Sequence, residues 1–283
     1  MDNAVEIRGL CKRRGDFSME GLDLEIPTGY VVGLIGENGA GKTTLIKCIT
    51  GANILDSGEI RLFGQPFAEA DRSRIGVVFD ECKFMQNYDG THLSKLMSGI
   101  FDRWDDRVFR ETMSGYGIPM DKRIKEYSRG MRMKVQVAVA MAHSPDLLLM
   151  DEPTAGMDPA ARDEFLDSIR RYMEDESHTA VISSHITSDL ERIADYVVFM
   201  HAGRIALSGP KDDILESYGI AKGSASAVAA IDRDHVVSVR RDDYSTSALV
   251  RDRSGVAEAY PELVVDPASL EDIMVMMVRG ERP

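Results

Sequence analysis

A glycine-rich turn that follows a short apolar run and opens a helix leaves few folds to a chain, and Gly36-Glu37-Asn38-Gly39-Ala40-Gly41-Lys42-Thr43-Thr44 is such a turn. The preceding Tyr30-Val31-Val32-Gly33-Leu34-Ile35 is β-branched and of strand length, and Thr44-Leu45-Ile46-Lys47-Cys48-Ile49 has helical apolar spacing. The turn therefore sits between a buried strand and a helix N-terminus. Glycines at 36, 39 and 41 permit backbone conformations closed to residues with a Cβ, so successive N–H groups point into one hollow, where the helix dipole adds positive charge. Lys42 reaches terminal phosphates as a point charge, and the Thr43 hydroxyl is placed to ligate Mg²⁺. The expectation is a nucleoside triphosphate with Mg²⁺, held by Gly36, Asn38, Gly39, Ala40, Gly41, Lys42, Thr43 and Thr44.

A second signal lies farther along. Leu147-Leu148-Leu149-Met150 reads as a buried strand that ends in Asp151-Glu152-Pro153, and open α/β sheets place their chemistry at the carboxyl ends of strands. Asp151 is suited to Mg²⁺ and Glu152 to orienting or deprotonating an attacking water. A pair of acids at a strand end is also compatible with a plain solvated cap; the phosphate-type turn earlier in the chain favours the chemical reading. Ala180-Val181-Ile182-Ser183-Ser184 is another buried strand, and His185 at its end shares that layer, which favours a γ-phosphate contact over a structural histidine.

The remaining pattern is consistent with an α/β chain. Val5 to Leu10 and Leu22 to Ile26 alternate as half-exposed antiparallel strands, with Lys12 to Phe17 between them as a solvated tip or a wall of the nucleotide site. Gly58 to Gly64 reads as strand and hairpin, and Ile75 to Phe79 as a parallel core strand ending in Asp80-Glu81. From Thr91 to Met113 the apolar residues take helical spacing, opening a helical region over about 83–144 that is interrupted near Gly115 to Asp121; its Trp104 and methionines read as core. Tyr196 to Met200 and Arg204 to Leu207 form a hairpin. The Gly/Ala/Ser stretch from Gly219 to Ala230 marks a boundary by its low complexity, which divides the chain into 1–218 and a small α+β unit over 219–283 without a catalytic constellation.

The formal net charge of -13 argues against a nucleic-acid partner, since a phosphate backbone needs a cationic surface. The three cysteines, Cys11, Cys48 and Cys82, form no CxxC pair and point to a reducing cytosol. Met1 to Glu6 lacks the features of a signal peptide, and no run approaches the roughly 18 apolar residues of a membrane span. Work at a membrane would need another polypeptide to cross it.

The order of these elements resembles the ATP-binding cassette of ABC transporters over about residues 3–215. Gly36 to Thr43 is similar to Walker A, Leu147 to Glu152 to Walker B with its glutamate, Ala155-Gly156-Met157-Asp158 to the D-loop, and His185 to the switch histidine. Tyr127-Ser128-Arg129-Gly130-Met131 is similar to the signature usually written LSGGQ, with Arg129 inside the place of the glycine pair and Met131 in that of the glutamine. By this resemblance Ser128 and Gly130 face the γ-phosphate held by another subunit. Where the family has a Q-loop glutamine that senses Mg²⁺ and the membrane partner, this chain has Asp80, which the resemblance sets at the metal beside Thr43 and Asp151; the adenine-stacking aromatic falls near Arg14, with Phe17 three positions on, and either side chain can stack. The segments Phe79 to Cys82, Tyr127 to Met131 and Ile182 to Leu190 together resemble bacterial ABC-2-type exporter ATPases. Among these, the peptide exporters of the phenol-soluble-modulin and bacitracin kind are nearest.

The resemblance implies a P-loop ABC ATPase fold with an antiparallel β subdomain and a helical subdomain. It implies an ATPase that powers export through an integral-membrane permease, working as a homodimer or with a paralogous ATPase subunit at the cytoplasmic face of the membrane. Two rivals are a soluble ABC protein acting on ribosomes or DNA, and a small-molecule P-loop kinase. The first is disfavoured by a lone Walker A, the absence of a heptad array and the acidic charge; the second would lack the signature and the strand-end Glu-His pair.

Overall fold

The computed structural model describes residues 2–241 and 245–281. In chain order, strands β1 (Asn3–Arg14), β2 (Phe17–Pro27) and β3 (Val31–Ile35) lead into helix α1 (Lys42–Ile49). Then come β4 (Ser57–Leu62), β5 (Gln65–Pro66) and β6 (Ile75–Val78), followed by helices α2 (Gly90–Ser98), α3 (Asp106–Gly115) and α4 (Arg129–Met141). The chain continues with β7 (Leu147–Asp151), α5 (Pro159–Tyr172), β8 (Thr179–Ser184), α6 (Thr187–Ile193), β9 (Tyr196–His201) and β10 (Arg204–Pro210). Last come α7 (Lys211–Ser217), β11 (Gly219–Gly223), α8 (Ala225–Ala229), β12 (Val236–Arg241), β13 (Thr246–Val250), α9 (Arg253–Ala259), β14 (Val264–Pro267) and α10 (Leu270–Arg279).

The central sheet has the order β10-β9-β3-β8-β7-β6, parallel from β9 to β6 with β10 as an antiparallel edge. Its strands read as unbroken apolar runs because both faces are covered. Val32, Leu34, Leu147, Leu149 and Val181 face one core, shared with Leu45 and Ile46 of α1 and with Ile7, Leu24 and Ile26 of the antiparallel sheet β2-β1-β4-β5. The alternate residues Val31, Ile35, Leu148, Met150 and Ile182 face the other, shared with Phe165, Leu166 and Ile169 of α5 and Leu190 and Ile193 of α6.

Helix α4 is two-sided. Met133, Val137 and Ala140 join the second of those cores, while Val135, Ala138 and Val139 join a helical cluster with Leu93, Met97, Phe109 and Met113. Trp104 packs on that cluster and donates its indole N–H to Ser94 Oγ at 3.2 Å, in keeping with a core role. The helical stretch from 91 to 113 is broken once more than its spacing predicts, because Asp105 caps a new helix by accepting from the backbone N–H groups of Arg107 and Val108.

The Gly/Ala/Ser stretch is folded, and its strand begins at Gly219. Its first residues form β11, which pairs with β13 on one side and β14 on the other in the antiparallel sheet β12-β13-β11-β14. Helix α10 lies against α6: Leu270, Ile273 and Met276 share a core with Leu190, Ile193 and Ala194, and the Leu270 N–H donates to Glu191 Oε1 at 2.7 Å. Among the described residues, no helix is long and apolar enough to cross a membrane.

Candidate active site

The carboxyl ends of β3, β7 and β8 lie side by side, with Ile35 opposite Ser184 and Asp151 opposite Ser183. Parallel pairing thus delivers the glycine turn, the acidic pair and His185 to one edge of the sheet. The turn follows the tight course its sequence demands. Gly41 caps α1 at φ 113°, and a Cβ there would fall 2.7 Å from the Phe17 ring. A Cβ on Gly36 would fall 2.5 Å from the Met200 carbonyl oxygen. Neither position admits a side chain.

Lys42 is buried, only 5% exposed, and bends back over the turn to donate to the carbonyls of Gly36 at 2.7 Å and Glu37 at 3.3 Å. Its Nζ also lies 3.2 Å from Glu152 Oε1, which is otherwise without a hydrogen-bonding partner. The contact is one of charge rather than of hydrogen-bond geometry. Thr43 Oγ1 donates to Asp151 Oδ2 at 2.7 Å, and Ser183 Oγ donates to Asp151 Oδ1 at 2.7 Å. The same serine receives the Glu152 N–H, at 3.0 Å to its Oγ and 3.1 Å to its carbonyl.

These bonds hold Glu152 at φ 50°, a left-handed conformation that costs a non-glycine residue on the order of 1–3 kcal/mol. The turn swings the carboxylate off the line of β7, and Oε2 meets His185 Nδ1 at 2.7 Å. The two adjacent acids therefore part company: Asp151 serves the threonine and serine hydroxyls, Glu152 the lysine and the histidine.

A cleft of about 350 Å³ opens beside this array, lined by Arg14, Phe17, Asn38, Gly39, Gly41, Lys42, Thr43, Thr44, Asp80, Asp151 and Glu152. Eleven of the residues singled out from the sequence thus face one space, together with Glu37. Gly36 and Ala40 lie beneath the turn, Ala40 fully buried, and His185 reaches the array through Glu152. Ser128 and Gly130 do not line the cleft; Ser128 caps α4, its hydroxyl accepting from the Met131 N–H at 3.2 Å. Asp80 lines it but is bound by Arg129 at 2.5 Å, so its negative charge is already countered.

Sequence reasoning missed Ser183, the hydroxyl that fixes both acids. The available signal was a pair of serines closing an otherwise apolar strand. It also missed Glu37, which lines the cleft and pairs with His201 at 3.2 Å.

Among the described residues, no group of three or more His, Cys, Asp or Glu side chains is arranged to cage a metal. The oxygen pair of Thr43 and Asp151 nevertheless fits Mg²⁺, which takes one or two protein oxygens and completes its shell with phosphate and water.

Comparison with known proteins adds a family. The ABC transporter family pattern matches residues 19–155. The lantibiotic transport ATP-binding protein SrtF of Streptococcus pyogenes is 33% identical over 214 residues, covering 74% of this chain and 91% of that protein. The bacitracin transport ATP-binding protein BcrA of Enterococcus faecalis is 31% identical over 215 residues, covering 72% and 68%. Among solved structures, an ATP-binding subunit of an ABC transporter superposes with a TM-score of 0.67 at 24% identity, over 75% of this chain and 91% of that one, a likeness of fold.

Proposed function

The chain belongs to the ABC transporter family as one of its ATP-binding subunits, an ATPase coupled to transport, and from that premise we propose how its own residues divide the work. The observation that carries the reading is the meeting of Lys42, Thr43, Asp151, Glu152 and His185 at the carboxyl ends of β3, β7 and β8. The glycine turn and the N-terminus of α1 bind the phosphates of ATP through backbone N–H groups, with Lys42 on the terminal phosphates. Thr43 and Asp151 hold Mg²⁺, whose charge offsets that developing on the phosphoryl oxygens. Glu152 Oε2 orients and deprotonates the attacking water, and His185, anchored on that same oxygen, contacts the γ-phosphate.

Adenine stacks on Arg14, because the Phe17 ring is committed to packing against Gly41. Ser128 and Gly130 serve the ATP of a second ATPase subunit, identical or paralogous, which accounts for their place outside the cleft of their own chain. The assembly is peripheral, on the cytoplasmic face of a membrane, and drives an integral-membrane permease. Two relatives named for the transport of lantibiotic and bacitracin favour an exporter over a ribosome- or DNA-acting protein, and favour an amphipathic peptide as cargo. We also take 1–218 as the nucleotide-binding unit and 219–283 as an accessory one.

The test is equilibrium binding of ATP, with and without Mg²⁺, to the chain and to Lys42→Ala, alongside isolation of the chain from its native membrane. We expect tight binding that depends on Lys42 and recovery of a hydrophobic subunit with the wild-type chain. Equal affinity in the variant would overturn the site, and consistent recovery without a membrane protein would overturn the exporter reading.

A further inference from the structure

Two departures from the family's motifs carry opposite charge, Asp80 in place of a glutamine and Arg129 in place of a glycine, and they touch: Arg129 Nη2 lies 2.5 Å from Asp80 Oδ1. Asp80 lies just past β6 and faces the nucleotide cleft with Lys42 and Asp151. Arg129 is the first residue of α4, and its stem passes beside Gly156, where a Cβ would stand 3.7 Å from Arg129 Cδ. About two turns farther along the same helical face, the buried Gln136 donates its Nε2–H to the carbonyl of Phe79 at 3.0 Å. The start of α4 is thus moored to the segment leaving β6 at two points, one a buried neutral bond and the other an ionic bond at the edge of the cleft.

The side chains of Arg129 and Asp80 are 61% and 46% exposed, and ion pairs so exposed add little to folding stability. Their effect is on placement. Arg129 stands between Ser128 and Gly130, so whatever holds it sets the orientation of both. It also cancels a carboxylate that would otherwise face an incoming triphosphate.

We propose that Asp80 and Arg129 are a matched pair of positioning residues for ATP hydrolysis: the carboxylate at the cleft holds the start of α4, and with it Ser128 and Gly130, in one orientation, while the guanidinium masks that carboxylate from the phosphates. The proposal rests on the reading of the cleft as the ATP site. The two halves of the pair have unequal consequences. Losing Asp80 frees the helix start and leaves an exposed guanidinium, which does not repel ATP, whereas losing Arg129 frees the helix start and exposes a carboxylate to ATP.

The experiment is a double-mutant cycle on the full chain with Asp80→Asn and Arg129→Gln, reading ATP affinity at equilibrium and steady-state hydrolysis, with Asp80→Glu as the charge-keeping control. Each single substitution should lower kcat by about tenfold or more, as small misplacements at active sites do. The double variant should fall no lower than the poorer single one, and Asp80→Glu should retain turnover. ATP affinity should weaken by roughly threefold to tenfold in Arg129→Gln alone and return to the wild-type value when Asp80→Asn is added, a rescue that a structural defect would not show. Multiplying losses in kcat, or no rescue of affinity in the double variant, would overturn the pairing. Where the isolated chain turns over too slowly to measure, the affinity cycle alone decides. Failure of the wild-type chain to bind ATP would strike the site reading itself, and the Lys42→Ala control distinguishes that outcome.

Discussion

Lys42 Nζ and Glu152 Oε1 lie 3.2 Å apart, so the cation of the phosphate turn and the acid of the neighbouring strand end are each other's partner. On the proposed role of Lys42, a γ-phosphate would compete with Glu152 for the lysine, and the acid it displaced would stay beside His185. Binding and chemistry would then be opposed at this carboxylate.

Glu152→Gln removes the competing charge and keeps the shape. It should bind ATP at least as tightly as the wild type while hydrolysing it ~10² to 10⁴ times more slowly, the usual range for a general base. Because ligand that is not turned over keeps stabilising the state it bridges, the variant should accumulate as an ATP-bound dimer in size-exclusion chromatography with MgATP. Near-normal turnover would take Glu152 out of the reaction.

Ser183→Ala tests the hydroxyl that ties the acids together. It removes a donor to Asp151 and an acceptor from the Glu152 N–H in a fully buried position. Stability should fall by about 1–3 kcal/mol in urea unfolding, with turnover dropping as Glu152 loses its tether. A variant with wild-type stability and wild-type kcat would show that the strand ends hold their geometry without it.

Arg14 and Phe17 are separable with a ligand that has no base. Arg14→Ala should weaken ATP binding severalfold, since an exposed cation–π contact is worth ~0.5–1 kcal/mol, and leave inorganic tripolyphosphate unaffected. Phe17→Ala should weaken both, because the ring backs Gly41. The opposite pattern would assign the base to Phe17.

Stability should also depend on pH through His143, which is 2% exposed, stacked on Phe101, with its ring nitrogens facing the carbonyls of Val139 and Ile75. Burial pushes its pKa below the ordinary histidine value, and the two carbonyls offset only part of that shift. The unfolded chain then binds the proton more readily than the folded one. The contribution is whole above the unfolded value of about 6.5 and is lost as pH falls through the folded pKa. Urea midpoints for the wild type should drop between pH 7 and mildly acid pH, and His143→Gln should flatten that part of the curve. An unchanged slope in the variant would clear His143 of the effect.

What could be read from the sequence, and what could not, follows from range. The glycine turn was legible because strand, loop and helix are contiguous, and Asp151 because an apolar run ended in an acid. The union of Asp151 with Ser183 arises only when β7 and β8 pair in register. The Asp80–Arg129 bond likewise needs the end of β6 and the start of α4 to meet, which no local pattern announces. At 219–230 the low complexity gives no sign of a strand, because small residues there answer to packing: a Cβ on Gly223 would fall 2.5 Å from Leu263 Cδ2. The strand is poor in side chains because its neighbours come close, and composition alone does not announce it as a strand.

The seating of α10 on α6 sets an order for synthesis. Every strand of the central sheet has been made by Pro210, but α10, which packs on α6 and joins Leu190 and Ile193 in one core, lies at 270–279. During translation that face of α6 waits for about 70 further residues, on the order of several seconds at common elongation rates. A message cut short after β10 would thus release a chain that holds all the residues we assign to phosphate yet lacks the helix that packs on α6, a species prone to cluster with its own kind rather than one that is merely idle.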